Sequence, residues 1–338
     1  MSLDRLIQPE PDPVLRAILT VLGGRLPLAQ AARHYGIDEM TLSDAVAAYD
    51  QAGRQALARP TATDDWWQTY LHFADWTSAD HTFTTHVLPL LHAAESAGLI
   101  SGWWYTRKHP CWRLRLRLQP DAGAELRTAE GEDRLGLHRL VTDGHLLRWW
   151  PGIYEPETAA FGGPVSMAAA HALFITDSRE AQRLRLRQNL PVGPRELSVL
   201  LCTLMMRAAG LEWYEQGDVW HHVITNEHRS AVSDVPPDHL HARAEEIRPL
   251  LLADSNAMLR PDGPLEPFAE WVTAFHSTGQ ILDRAVEEGT LDRGLRQVLS
   301  YHVIFHWNRL GLSMRGQSIL ASAARTAIFH DAHDTQLT

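Results

Sequence analysis

The residues best able to do chemistry stand together near the C-terminus, in the run SYHVIFHWNRLGL at 300–312. Its apolar spacing predicts a helix, so His302 and His306, four residues apart, share one face with Arg309 nearby. Tyr301 falls on the adjacent face with Phe305 and Asn308, because successive helical residues lie about 100° apart. Imidazoles titrate near neutrality, and the hydroxyls of Ser300 and Tyr301 both donate and accept, so this run can move protons. A metal site would need a third ligand that the sequence does not offer, and no metal is expected. The structural alternative makes Tyr301 and Phe305 core aromatics, with the histidines filling buried polar gaps.

A second candidate is the strict alternation from Arg113 to Leu118, a strand signal that places Arg113, Arg115 and Arg117 on one face and Leu114, Leu116 and Leu118 on the other. Three guanidiniums on one strand face are costly inside a protein unless paired or wet. Two readings follow: an ion-paired outer face, or the basic floor of a substrate cleft, joined by Arg107. The tryptophans include adjacent pairs at 66–67, 103–104 and 149–150. Such flat rings pack cores or stack on planar ligands, and Trp104 and Trp307 are the candidates for stacking. No phosphate-cradling glycine loop, nucleophile elbow or HExxH run is present, and no cofactor is expected.

These residues need elements to hold them. Residues 13 to 58 read as a small helical unit with the cadence of a helix-turn-helix, in which Gly36 permits the turn and Asp38 or Thr41 caps the next helix. ARPTATDD reads as a linker, with a boundary near residue 60 dividing a unit at 1–60 from one at 61–338. WWQTYLHFADW predicts a strand, followed by a helix over Thr82–Ala97 with Leu88, Leu91 and Ala94 on one face. The stretch from Gly123 to Asp143 reads as polar loop with some helix, and HLLRWWPGIYEPETAAFGGP as strand or loop. From Ser166 onward the pattern is helical, with a new segment capped by Asp177 and Ser178 and continuing through RLRLR at 183–187. Strands first and helices later predict an α+β fold, a mixed or antiparallel sheet with packed helices.

A formal charge of -10 argues against a phosphate-backbone partner. The second helix of the N-terminal unit agrees, carrying Glu39, Asp44 and Asp50 where a base-reading helix needs Arg, Lys, Asn or Gln. No window is long and apolar enough to span a membrane, and no secretory signal opens the chain. Two cysteines, Cys111 and Cys202, build no disulfide framework. A cytoplasmic protein is expected.

Three motifs, in order, resemble the elimination domain of class I lanthipeptide dehydratases and its free-standing relatives, the thiopeptide-type bacteriocin biosynthesis proteins: WWYTRKHPCWRLRLRL, then YEPETAAFGGP with Phe174, Asp177 and Ser178 downstream, then SYHVIFHWNRLGL. The resemblance covers residues 66 to about 325. Trp112, Ala160 and Ile304 stand where glutamyl-eliminating members carry histidine, arginine and histidine. Among the family's branches the last motif is most similar to the pyridine synthases of thiopeptide biosynthesis. Those enzymes join two dehydroalanines of an azole-bearing peptide by a formal aza-[4+2] cycloaddition, then expel water and leader peptide. The resemblance implies Ser300, Tyr301, His302 and His306 as catalytic groups. It implies Trp104, Arg107, Arg113, Arg115, Arg117, Tyr154, Glu157, Phe161, Trp307, Asn308 and Arg309 as contacts for a modified precursor peptide, leader and core. A homodimer or transient contact with other biosynthetic enzymes stays open, as does leader docking by the N-terminal unit. The alternatives are a glutamyl-eliminating lyase of a split dehydratase and a non-catalytic peptide-binding subunit.

Overall fold

The computed structural model describes residues 12–58, 65–120, 135–225 and 235–329. Residues 59–64 of the ARPTATDD linker and residues 123–134 of the stretch from Gly123 to Asp143 lie outside these. The chain forms two compact units, Met1–Asp64 and Asp65–Thr338. The first holds α1 (Pro13–Leu22), α2 (Leu28–Tyr35) and α3 (Glu39–Ala58). The Asp12 carboxylate accepts from the Val14 N–H at 2.9 Å and that of Asp38 from the Thr41 N–H at 3.0 Å, each satisfying an amide that the helix start leaves open. Gly36 takes φ 67°, a left-handed turn that needs no Cβ. Ala17, Ile18, Ala31, Ala32 and Leu42 form its small core. A chain beginning at Asp65 is expected to fold by itself, since the second unit has separate cores. A cooperative melt of that truncated chain checks this, and its absence would show that the first unit is required.

The second unit is built on four antiparallel strands in the order β2-β3-β1-β4. These are β1 (Trp66–Phe73), β2 (Ile100–Lys108), β3 (Cys111–Leu118) and β4 (Leu146–Gly152). Alternation divides the sheet as the sequence implies. Trp67, Leu71, Trp103, Tyr105, Trp112, Leu114 and Leu116 make one core with α4 (Ala79–Thr82), α5 (Leu88–Ser96) and α6 (Leu137–Thr142). A π turn, Phe83–Val87, joins α4 to α5. The opposite face presents Trp66, Trp104 and Arg115, with Arg115 registered between Trp104 on β2 and Gln68 on β1.

Helices follow: α7 (Pro164–Leu186), α8 (Pro194–Ala208), α9 (Trp213–Thr225), α10 (Pro237–Leu252), α11 (Ser255–Met258), α12 (Ala269–Glu287), α13 (Leu295–Leu310) and α14 (Met314–Phe329). α7 and α13 both lie against β2, and with the other helices they build the largest apolar core, which includes Leu173 and Leu184 of α7 and Val303 and Trp307 of α13. Burying each of its Leu, Val, Phe or Trp side chains contributes roughly 1.5–3 kcal/mol. One expectation is corrected here. Asp177 and Ser178 cap nothing, because they lie inside the unbroken α7 and are fully buried. Their side chains bond to other elements and so do not compete for the local backbone: Ser178 Oγ accepts from the Tyr105 N–H at 3.3 Å.

Candidate active site

Asp177 is the polar centre where α7, α12 and α13 meet. Its carboxylate accepts from His306 Nδ1 at 2.7 Å, from Arg309 Nη1 at 2.9 Å and from Trp271 Nε1 at 2.9 Å. Burial alone would push the carboxyl up, but His306 and Arg309 overcome that and hold it below the ordinary range. Burial in turn lowers the Arg309 pKa, against the opposing pull of Asp177. Asn308 pins the same helix to the sheet: its Oδ1 accepts from the Arg107 N–H and its Nδ2 donates to the Arg107 carbonyl, both at 2.7 Å. Tyr105 adds a third tie, donating to the Arg309 carbonyl at 3.3 Å while Gln182 donates to its hydroxyl at 2.7 Å.

On the sheet face beside this scaffold, Arg115 is 2% exposed and lies 4.1 Å from the centre of the Trp104 ring and 5.3 Å from that of Tyr154. Burial pulls its pKa down to about 10, with Glu157 opposing, so it stays charged at neutrality. Among the described residues its side chain donates to Thr106 Oγ1, at 2.9 Å. Arg309 stacks on Phe174 at 4.1 Å and stands 5.8 Å from Trp104, so two guanidiniums flank that indole. The Tyr154 hydroxyl and His171 Nε2 are 2.6 Å apart, and Trp66 packs 4.8 Å from the His171 ring. Burial, helped by Arg115 and Arg117, lowers His171 to about 4. Burial also pushes the Tyr154 hydroxyl above its usual range.

His302 faces Phe161 edge-on at 5.0 Å, and burial with Arg309 nearby lowers it to about 3. Among the described residues, both His302 nitrogens, Trp104 Nε1, Arg115 Nε and Glu157 Oε2 are buried without a hydrogen-bond partner. Trp103, Trp112, Trp149 and Trp220 Nε1 share this property elsewhere in the fold, so what sets these atoms apart is that they converge on one aromatic cluster.

The structure brings together Trp104, Arg115, Tyr154, Phe161, His302 and Arg309, with Tyr301 and Phe305 half-buried against the same cluster. Glu157 acts electrostatically on Arg115. The other singled-out residues lie elsewhere or are occupied. Trp307 is core, stacked on Trp220 at 5.7 Å and donating to Ser198 at 3.1 Å, so it cannot stack on a ligand ring. His302 and His306 are not a working pair, since His306 is tied to Asp177 and His302 sits among phenylalanines.

Ser300 donates to its own helix at Gln297 O, 2.7 Å away. Arg107 is paired with Asp80 at 2.5 Å, and both hydrogen-bonding ends of the Asn308 amide are used by β2. The arginine face divides: Arg115 is buried, Arg113 is half-buried over Tyr70 at 5.8 Å, and Arg117 is exposed. Sequence reasoning missed His171 and Trp66 as members of the cluster, because nothing in local spacing ties either to Tyr154. An open groove of about 420 Å³ between α8, α10 and α14, lined by Arg195, His239 and Arg243, contains none of these residues.

Comparison with known proteins agrees with this architecture. The family model described as lantibiotic biosynthesis dehydratase C-term matches residues 66–328. The tRNA-dependent lantibiotic dehydratase MibB from Microbispora sp. 107891 superimposes with a TM-score of 0.60 at 18% identity, over 83% of this chain. The chain spans 29% of the length of that dehydratase. TsrL superimposes with a TM-score of 0.53 at 16% identity, over 80% of this chain and 95% of TsrL. TbtD, the pyridine synthase from thiomuracin biosynthesis, gives 0.49 at 17% identity, over 79% and 99%. No protein of curated function matches the sequence. The matched span takes in all four strands of the sheet, the Trp104–Arg115 cluster and the Asp177 tie, and the chain belongs to the lantibiotic biosynthesis dehydratase C-terminal family.

Proposed function

We propose that this chain is a thiopeptide pyridine synthase, closing a linear peptide that bears azoles and dehydroalanines by aza-[4+2] cycloaddition, with loss of water and leader peptide. The observation that carries the reading is the make-up of the enclosed cluster, in which His171 and His302 are buried among aromatic rings on the same side of the sheet as the Arg115 guanidinium. His171 and His302 are held neutral, with pKa near 4 and 3, beside a cationic Arg115. Glutamate elimination must remove an α-proton, and imidazoles so depressed are poor bases for that step. Trp112, Ala160 and Ile304 supply no replacement. Trp112, for one, is fully buried and stacked on Tyr105 at 4.8 Å.

Cycloaddition asks for something else: two alkenes held together and one amide favoured in its iminol form. Clamping the reacting ends removes most of the entropic barrier. Arg115 donates to the amide oxygen where negative charge develops, the buried Trp104 ring backs its guanidinium and is not free to stack on an azole, and Tyr301 and His302 add hydrogen-bonding groups beside it. Arg113, Arg117 and Glu157 extend the contact surface along the peptide. Asn308, Arg309, Arg107 and Trp307 hold the scaffold.

Mass spectrometry of two substrates tests the reading. A dehydrated, azole-bearing peptide should give a pyridine macrocycle and a free leader carboxamide, and a glutamylated peptide should be left intact. Dehydroalanine formed with loss of glutamate would establish the lyase instead. Binding without turnover of either would leave a peptide-binding subunit. Arg115→Met, which keeps the stem on Trp104, is expected to lower turnover by ~10²- to 10³-fold. Its melting should change little, because Arg115 makes no close ion pair among the described residues and its buried guanidinium is itself costly to hold. Unchanged turnover would remove Arg115 from the chemistry.

A further inference from the structure

We propose that His171 is a positioning residue: it orients the Tyr154 hydroxyl so that Tyr154 and Arg115 together read the edge of one extended residue of the substrate. This rests on the peptide-modifying role proposed above. His171 and Tyr154 are both buried in an aromatic box, with the Trp66 and Trp104 ring centres 4.8 to 6.2 Å from theirs. Two polar groups in such a box gain little net stability from each other, since each gave up water to enter it. What the pair does provide is direction.

A neutral imidazole with its proton on Nδ1 leaves Nε2 as an acceptor, and the phenol is the better donor, so the 2.6 Å contact is written as O–H of Tyr154 donating to Nε2 of His171. The phenol oxygen then keeps its lone pairs for a third group. Arg115, whose guanidinium lies 5.3 Å from the Tyr154 ring centre, carries an Nε–H that is buried and without a partner among the described residues. An acceptor beside a donor matches the N–H and C=O of one residue in an extended chain, which point to the same side. The chemistry recognised is therefore peptide backbone, independent of side chain. Arg115 alone could equally hold any carbonyl, and it is the Tyr154 acceptor that selects an unalkylated amide.

The test uses the full chain and the dehydrated, azole-bearing peptide, with kcat and KM for His171→Leu, His171→Gln, Tyr154→Phe and the double variant Tyr154→Phe/His171→Leu. His171→Leu should lose ~10-fold in kcat/KM, the scale of one misdirected hydrogen bond, whereas His171→Gln, whose side-chain oxygen can accept in place of Nε2, should stay within a few-fold. The double variant should be no worse than Tyr154→Phe alone. Losses that multiply in the double variant, or equal losses in the Leu and Gln variants, would overturn the proposal while leaving the synthase reading intact. Should the parent prove inactive on every substrate, the synthase reading fails, and the same four-variant cycle run on affinity for that peptide still decides the role of His171. If the leucine variant does not fold, His171→Phe, which keeps a flat ring but has no acceptor, takes its place in the cycle with Tyr154→Phe.

Discussion

Asp177→Ala is expected to cost about 3–5 kcal/mol, the usual result of stripping one partner from a buried ion pair. Arg309 would keep its charge inside the core with its hydrogen-bonded carboxylate removed, while His306 Nδ1 and Trp271 Nε1 would lose their acceptor. A domain's net stability is ~5–15 kcal/mol, so the variant should melt far below the parent or fail to accumulate folded. Asp177→Asn keeps an acceptor but not the charge and should fall between. The compensating pair Asp177→Leu/Arg309→Met should recover much of the loss, because a well-packed apolar pair can replace a buried ion pair. Urea denaturation of the four proteins measures this. Parent-like stability of the alanine variant would mean that the carboxylate does not hold α7 and α13 together.

The same residue shows what a sequence discloses and what it withholds. Asp177 followed by Ser178 after an apolar helical run has the look of a helix start, because short polar side chains favour caps. Its three partners lie 94, 129 and 132 residues away, beyond any local pattern. The β3 alternation was legible since a strand buried on one face must alternate, and the leucines of that face are buried. Which arginine of the other face goes inside was not legible, because that depends on the neighbouring strands and on α7, which cover Arg115 and leave Arg117 exposed. Helical spacing likewise placed His302 and His306 on one side of α13. It could not tell that one would meet a carboxylate and the other a ring of phenylalanines. Tyr154 and His171 sit in a loop and a helix that only folding brings together.

Lowering the pH from 7 to 5 is expected to weaken the fold by on the order of 2–4 kcal/mol through His171 and His302. Both imidazoles have folded-state pKa values, about 4 and about 3, below the ~6.5 of an unfolded chain. Between those limits the unfolded chain binds protons that the folded chain refuses, so stability is complete above pH ~6.5 and falls as the pH drops toward 4, at ~1.4 kcal/mol per pH unit for each group. Asp177, held low by its partners, acts in the same sense but only on entering the carboxylate range, whereas His86 and His222, also lowered by burial, add to the same slope between pH 7 and 5. His302→Leu removes one titration and two unpaired ring nitrogens. It should lower the slope of stability against pH by one group's share, at most ~1.4 kcal/mol per pH unit, and at pH 5 it should be at least as stable as the parent. Urea midpoints at half-unit steps read this directly. A flat profile from pH 7 to 5 would mean that these imidazoles can take a proton inside the folded site, which would return to the enclosed cluster the general base that glutamate elimination requires.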